Sequence, residues 1–276
     1  MMPRLISISR SFAMTRIVVL LKDIVDLNEM KIDPSTRKPS LEGVKRRISD
    51  LDKRALEAAI RLKEAHGGEI ATLSVGSPKT GTVMLEALAM GADASYIVND
   101  VSLTGLDALA TSQVMKTALA KIGGYDLILG GEMSLDSLSA QIGPRLAELL
   151  DLPILTYVKS MDLVEGRLRA ERDLEDVDEV VEVELPAIVS VVREVNEPRI
   201  PSLMNIMKAK RKPTEEWEAS SLGLAAEEIR AASSVEVLDV TAPLVERKRI
   251  VIEAETIEDA AAKLAEAIIA EGVLES

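Results

Sequence analysis

Short apolar runs alternate with stretches of helical periodicity along most of the chain. The run RIVVLLK (16–22) is nearly continuous in apolar residues, the pattern of a strand buried on both faces. EIATLSV (69–75), SYIV (95–98) and the core of YDLILGG (125–131) repeat it. Between these runs, Leu51, Ala55, Ala58, Ala59 and Leu62 fall on one helical face that stops at His66-Gly67-Gly68. Further helices are expected over TVMLEALAMGAD (82–93), over 105–122 with a stop at Gly123-Gly124, and behind Ile142, Leu146, Leu149 and Leu150. Strands alternating with helices at this spacing predict an α/β fold, a parallel sheet sandwiched by helices.

The pattern changes after residue 153. MDLVEGRLRAERDLEDVDEVVEVELPAIVSVV alternates apolar and charged residues around Glu165-Gly166, which predicts a half-exposed antiparallel hairpin and further strands. A proline-rich turn then leads into a short helix carrying Lys208, Lys210, Arg211 and Lys212. Acidic, weakly periodic sequence from Pro213 reads as an extended arm. It ends in a helix from Thr256 to Ala270, with Ile257, Ala261, Leu264 and Ile268 on one face, Thr256 as N-cap and Gly272 as stop. The expected organisation is therefore a tail or misassigned start over 1–13, an α/β domain over 14–212, and an arm over 213–276 whose C-terminal helix must bury its stripe on its own domain or, as expected here, on a partner subunit. The 23–49 stretch, with its KIDPSTRKPSLEG, is expected to be a long polar connection.

Composition narrows the chemistry. The net charge of −13 argues against a general nucleic-acid or anionic-membrane binder. No cysteine and a single histidine leave no thiolate site, no cysteine nucleophile and no His-centred metal or triad chemistry. His66 reads as a solvent-facing residue at a helix end. A bound cofactor or a partner must therefore supply any chemistry. No apolar run reaches membrane-spanning length.

Ligands of parallel α/β sheets lie beyond the carboxyl ends of the strands. Those ends are 20–22, 75–79 and 130–141. At the third, Gly130 and Gly131 permit a sharp turn, and Asp136, Ser137 and Ser139 are candidate N-caps for the helix behind them. A helix N-terminus placed there favours an anion, although Glu132 and Asp136 bring negative charge. Neither G-x-G-x-x-G nor a Walker sequence occurs, so a Rossmann dinucleotide domain or P-loop ATPase is unsupported.

Several blocks, taken in order, carry a resemblance. They are VLLK (19–22), LEAAIRLKE (56–64), EALAMGAD (86–93), the frame of Gly131, Asp136, Gln141 and Gly143, ELPAIVSV (184–191), and NEPR-x-PSLMNIMKAKRK (196–212). Together they resemble the β subunit of electron transfer flavoprotein over nearly all of 14–272. The resemblance implies an adenine-nucleotide-binding α/β domain of the HUP-like type that pairs with a homologous α subunit. FAD would be held mainly by the α subunit, and AMP or a second FAD by this chain. Carried over by position, the nucleotide site comprises Leu20, Ser49, Asp50, Leu51, Asp52 and Val75. It continues through Gly131, Glu132, Met133, Ser134, Leu135, Asp136, Ser137, Leu138, Ser139, Ala140, Gln141 and Ile142, with phosphates taking N–H groups over 137–141.

The resemblance also maps a docking loop onto 196–212, with Leu203 as the anchor for a dehydrogenase such as acyl-CoA dehydrogenase. Arg172 and Asp173 align with a charged pair near flavin and partner. It implies no catalytic residue and no metal in this chain. Electrons would pass on to a quinone oxidoreductase or ferredoxin, with NADH involved if the protein bifurcates. The location implied is cytoplasmic, or the mitochondrial matrix in a eukaryote. Two positions depart from the family pattern: Leu138 stands where a second acid is usual, and Leu51 where simple carriers often have an aromatic. KIDPSTRKPSLEG and SAQIGP are closer to bifurcating members. The alternatives are a stand-alone ATP-binding stress-type or adenylyl-transferring α/β protein, for which GSPKTG (76–81) is the only candidate phosphate loop, and a structural subunit with an empty ancestral pocket.

Overall fold

The computed structural model describes residues 16–76, 80–244 and 248–272. The tail or alternative start expected over 1–13, and residues 77–79 of the GSPKTG candidate loop, lie outside the described residues. The main sheet contains β1 (Arg16–Leu20), β2 (Glu69–Gly76), β3 (Ala94–Asn99), β4 (Leu127–Gly131) and β5 (Ile154–Val164). β6 (Arg167–Asp173), β7 (Asp178–Val183), β8 (Ala187–Val191) and β9 (Thr214–Trp217) complete it. These form one nine-stranded sheet in the order β7-β6-β5-β8-β4-β1-β2-β3-β9. Neighbours from β5 across to β9 run parallel, and only the β5–β6 and β6–β7 pairs are antiparallel. The predicted hairpin at Glu165-Gly166 is the turn between β5 and β6.

Alternate residues of a strand point to opposite faces, so the continuous apolar runs feed two cores. Ile17 and Val19 of β1 join a layer with α1 (Asp50–His66) and α2 (Thr80–Met90). Val18 and Leu20 join a second layer with α3 (Ala108–Ile122) and α4 (Ile142–Leu150). Almost no aromatic side chain takes part; aliphatic and methionine side chains fill both layers. No helix among the described residues is long and apolar enough to cross a membrane.

Two expectations change. The connection 23–49 is a nested pair of small ladders, Asp23–Val25 against Arg46–Ile48 and Lys31–Ile32 against Pro39–Ser40. The acidic sequence after Pro213 does not begin an arm at once. β9 adds in parallel to β3, with Trp217 opposite Val98. The Trp217 ring lies buried, 5.1 Å from the Tyr96 ring, with the Lys121 amine 4.4 Å from its centroid. A short helix α6 (Ala226–Ala231) buries Ile229 in the second core. The extended part starts only beyond this point. At its root Ser234 and Val235 donate their N–H groups to Asp107, which also caps α3 at Ala110. Farther along, Ala242 pairs its backbone with Arg37, and Asp239 meets Lys38 at 3.2 Å. α5 (Leu203–Ala209) precedes α6 in the chain, and the last helix, α7 (Ile257–Ala270), has the expected Thr256 cap. Its stripe of Ile257, Leu264 and Ile268 is left exposed.

Trp217→Ala should lower unfolding free energy by about 3 kcal/mol, the scale of a buried Trp truncation. Urea unfolding followed by circular dichroism measures it, and a value near zero would mean that 214–217 is not part of the core.

Candidate functional site

The carboxyl ends of β1 and β4 meet the first turn of α1, and one carboxylate joins all three. Asp52 is buried and accepts the Lys22 N–H at 2.8 Å and the Gly131 N–H at 3.0 Å. Burial pushes its pKa up to about 7, against the pull of those two N–H groups and of the Lys22 charge. Gly131 packs so closely on α1 that a Cβ there would lie 2.6 Å from the Leu51 Cβ and 2.8 Å from the Leu51 carbonyl carbon. Only glycine fits without moving backbone. Leu20 ends β1, Ser49 precedes α1, Asp50 opens it in an ion pair with Arg47, and Val75 stands near the end of β2. The structure therefore places Leu20, Ser49 to Asp52, Val75 and Gly131 at the carboxyl ends of β1, β2 and β4 and the start of α1, where the crevice is expected. The Ser49 hydroxyl is buried there with no hydrogen-bond partner among the described residues.

The turn after β4 differs from the expectation. α4 begins at Ile142, and Gln141 occupies the cap position without a side-chain capping bond, its Oε1 instead accepting from Arg145, so Asp136, Ser137 and Ser139 are not N-caps. The chain instead takes left-handed backbone at Leu138 (φ 50°) and Ala140 (φ 51°), uncommon for residues with a Cβ. Asp136 accepts the Lys22 ammonium at 2.9 Å and the Ser134 hydroxyl at 2.7 Å, and Ser134 also meets Ser137 at 2.9 Å. Partial burial would raise the Asp136 pKa, but Lys22 and Ser134 outweigh it and hold the carboxyl below its usual range. Glu132 turns inward and is buried, accepting the Tyr157 N–H at 2.9 Å and the Ser190 hydroxyl. Neither acid is thus a free negative charge at the mouth. Met133 and Leu135 are partly buried in the turn, while Leu138, Ser139 and Gln141 are exposed. Lys22 is the residue whose part in the site the sequence did not reveal; its only signal was a lone cation at the end of a buried strand.

The remaining candidates lie apart from this crevice. Leu203 opens α5 and is 75 % exposed beside exposed Ile200, Met204 and Met207, so it is not a buried helix residue. Ser202 caps α5 by accepting the Asn205 N–H. Arg172 donates to Thr156 and, at 2.6 Å, to Glu179, whereas Asp173 is exposed at the end of β6. His66 ends α1 as expected, 2.7 Å from an Asp162 oxygen.

The Asp52 carboxyl is protonated more readily in the folded than in the unfolded chain. Its contribution to stability is therefore fully present below about pH 4 and is lost as pH rises through 7. Asp52→Asn, which mimics the neutral acid, removes this dependence. The stability difference between wild type and variant should shift toward the variant from pH 5 to pH 8, measured by denaturant unfolding at each pH. A difference independent of pH would contradict the assignment.

Comparison with known proteins shows the family. Residues 40–222 match the model of the electron transfer flavoprotein domain. The electron transfer flavoprotein subunit beta of Thermoanaerobacterium thermosaccharolyticum is 40% identical over 174 residues, 63% of this chain and 66% of that protein. A caffeyl-CoA reductase-Etf complex subunit, CarD of Acetobacterium woodii, is 34% identical over 77% of this chain and 81% of its own length. The subunit beta of Clostridium acetobutylicum is 37% identical over 75% and 79% respectively. With its parallel sheet, its strand-end crevice and this agreement across most of its length, the chain belongs to the electron transfer flavoprotein family, alongside the beta subunits.

Proposed function

We propose that this chain is the beta subunit of a heterodimeric electron transfer flavoprotein, an electron carrier rather than an enzyme, and that its strand-end crevice holds an adenine nucleotide. The observation that carries the reading is the crevice itself. Strand ends converge there on a glycine with no room for a side chain, and the adjoining turn, exposed at Leu138, Ser139 and Gln141, takes positive φ at Leu138 and Ala140, as anion-binding turns do. The neutralised Asp136 and the unpartnered Ser49 hydroxyl fit a nucleotide: the first removes repulsion toward phosphate, the second offers a hydrogen bond. Ser134, Ser137, Ser139, Ala140, Gln141 and Ile142 would face the phosphates, while Leu20, Leu51 and Val75 would line the apolar part. The nucleotide is AMP in a simple carrier and a second FAD in a bifurcating one.

FAD held with the alpha subunit supplies the redox chemistry, accepting electrons from a dehydrogenase and releasing them to a quinone oxidoreductase or ferredoxin. This chain's own contribution is to bind, orient and dock. Segment 196–212 fits the docking role because Ile200, Leu203, Met204 and Met207 present an apolar patch beside Lys208, Lys210 and Arg211, a small hot spot with cationic guidance. Arg172 and Asp173 would border the same electron path.

Co-purified with its alpha subunit and denatured, the protein should release either one FAD with one AMP, or two FAD. Absence of flavin would overturn the reading. Lys22→Ala frees the Asp136 charge and should weaken nucleotide retention roughly tenfold, measured by equilibrium dialysis, the scale of a lost charge-assisted hydrogen bond. Leu203→Ala should leave nucleotide content intact and weaken reduction by an acyl-CoA dehydrogenase by about 2 kcal/mol in kcat/KM, the size of a docking hot spot. An unchanged rate would remove the docking assignment.

A further inference from the structure

α1 carries a buried carboxylate that the crevice does not use. Glu57 is 2% exposed, one turn beyond Asp52 and on the side of the helix that meets segment 196–203. A carboxylate this deep is unfavourable unless it is fully paired. Its partners come from the docking segment: Arg199 donates its backbone N–H at 3.2 Å, its Nε at 2.8 Å and one terminal nitrogen at 3.2 Å. Arg61 adds a bond at 2.9 Å from its own turn of α1, and the far side of the Arg199 guanidinium reaches Glu64 at 2.7 Å. The base of the segment is tied to the same helix by Arg54, which donates to the Arg193 carbonyl at 2.7 Å. At the other end, the Lys212 ammonium donates to the carbonyls of Leu88 at 2.9 Å and Ala92 at 2.6 Å, closing the end of α2.

Between these moorings lie the exposed Ile200 and Leu203. A segment that must present an apolar anchor to a partner gains affinity if it is ordered before the partner arrives, because ordering then costs nothing on binding. Beneath its base, between α1 and β5, is a cavity of about 280 Å³ lined in part by Arg61, Val195 and Asn196. Val195 packs on the core at the base and Ile206 and Ala209 do so from α5, so 197–203 between them are held chiefly by the polar ties.

We propose that Glu57 is a positioning residue for dehydrogenase docking, fixing segment 196–203 through Arg199 so that Leu203 is presented in one conformation. This rests on the reading of 196–212 as the docking segment. Glu57 touches neither the nucleotide crevice nor the partner and acts through Arg199. Removing its charge leaves the exposed Glu64 as the one carboxylate on the Arg199 fork.

The test uses the full heterodimer carrying Glu57→Gln, Leu203→Ala, or both. Hydrogen exchange read by mass spectrometry should accelerate roughly tenfold over 200–209 in Glu57→Gln, the scale of a lost charged hydrogen bond, with the sheet strands unchanged. With a purified short-chain acyl-CoA dehydrogenase as electron donor, KM for that dehydrogenase should rise about tenfold on the same scale, with flavin and nucleotide content unchanged. The double variant should be less impaired than the product of the singles, because both act on one contact. Unchanged exchange over 200–209, or acceleration spread over all of α1, overturns the proposal. A KM raised by Leu203→Ala but not by Glu57→Gln also overturns it while leaving the docking reading intact. If neither variant alters KM, the docking reading and the proposal fall together.

Discussion

A single buried carboxylate holds the functional end of the sheet in register. Without Asp52, the N–H groups of Lys22 and Gly131 would point into a dry space between two strand ends and a helix, with nothing to accept them. Unsatisfied buried donors are unfavourable enough that strands and helix would have to part. The close approach at Gly131 follows from this: the N–H can reach Asp52 only if the backbone lies against Leu51, which excludes any side chain. Lys22, whose backbone is fixed by Asp52, then places its ammonium on Asp136 and shapes the turn that follows. The crevice is a consequence of one satisfied carboxylate.

α1 serves two surfaces at once. Its first turn meets the ends of β1 and β4, and its flank at Glu57 receives Arg199 and the base of segment 196–203. Both are set by a rigid element with an apolar face buried against the sheet, so neither surface can shift without moving the helix. Loops that carry recognition are usually less ordered than the scaffold. Here the scaffold reaches into the loop through ion pairs, which are directional and leave the apolar anchors free for a partner.

The layered architecture was legible because burial on both faces leaves a periodic trace. RIVVLLK, EIATLSV and AIVSV became central strands, and the Glu165-Gly166 alternation became the hairpin. The Thr256 cap was legible for a similar local reason, since a side-chain cap needs only its own next turn. What was not legible depended on partners distant in sequence. The stretch TEEW is short and acidic, and only the place beside β3 makes it a strand. The turn at 132–141 was misread because Asp136 and Ser139 suit a helix start by type. Their actual conformation is set by Lys22 and by left-handed backbone at Leu138 and Ala140, residues that advertise no such geometry. Glu132 looked like a repulsive charge at the mouth, and only the fold shows it turned toward Tyr157 and Ser190.

Asp107 holds the start of α3 with one oxygen and the root of the extended segment with the other. Burial alone would raise its pKa, but the N–H groups of Ala110, Ser234 and Val235 outweigh that and keep it low. Its stabilising effect is present above the unfolded pKa and disappears as pH falls through the folded one. Acid therefore unties the helix start and the departing chain in the same protonation step. On the side of the sheet away from α1, protonation thus loosens the tail from the body, whereas Asp52, at the strand ends, is favoured by acid in its neutral form.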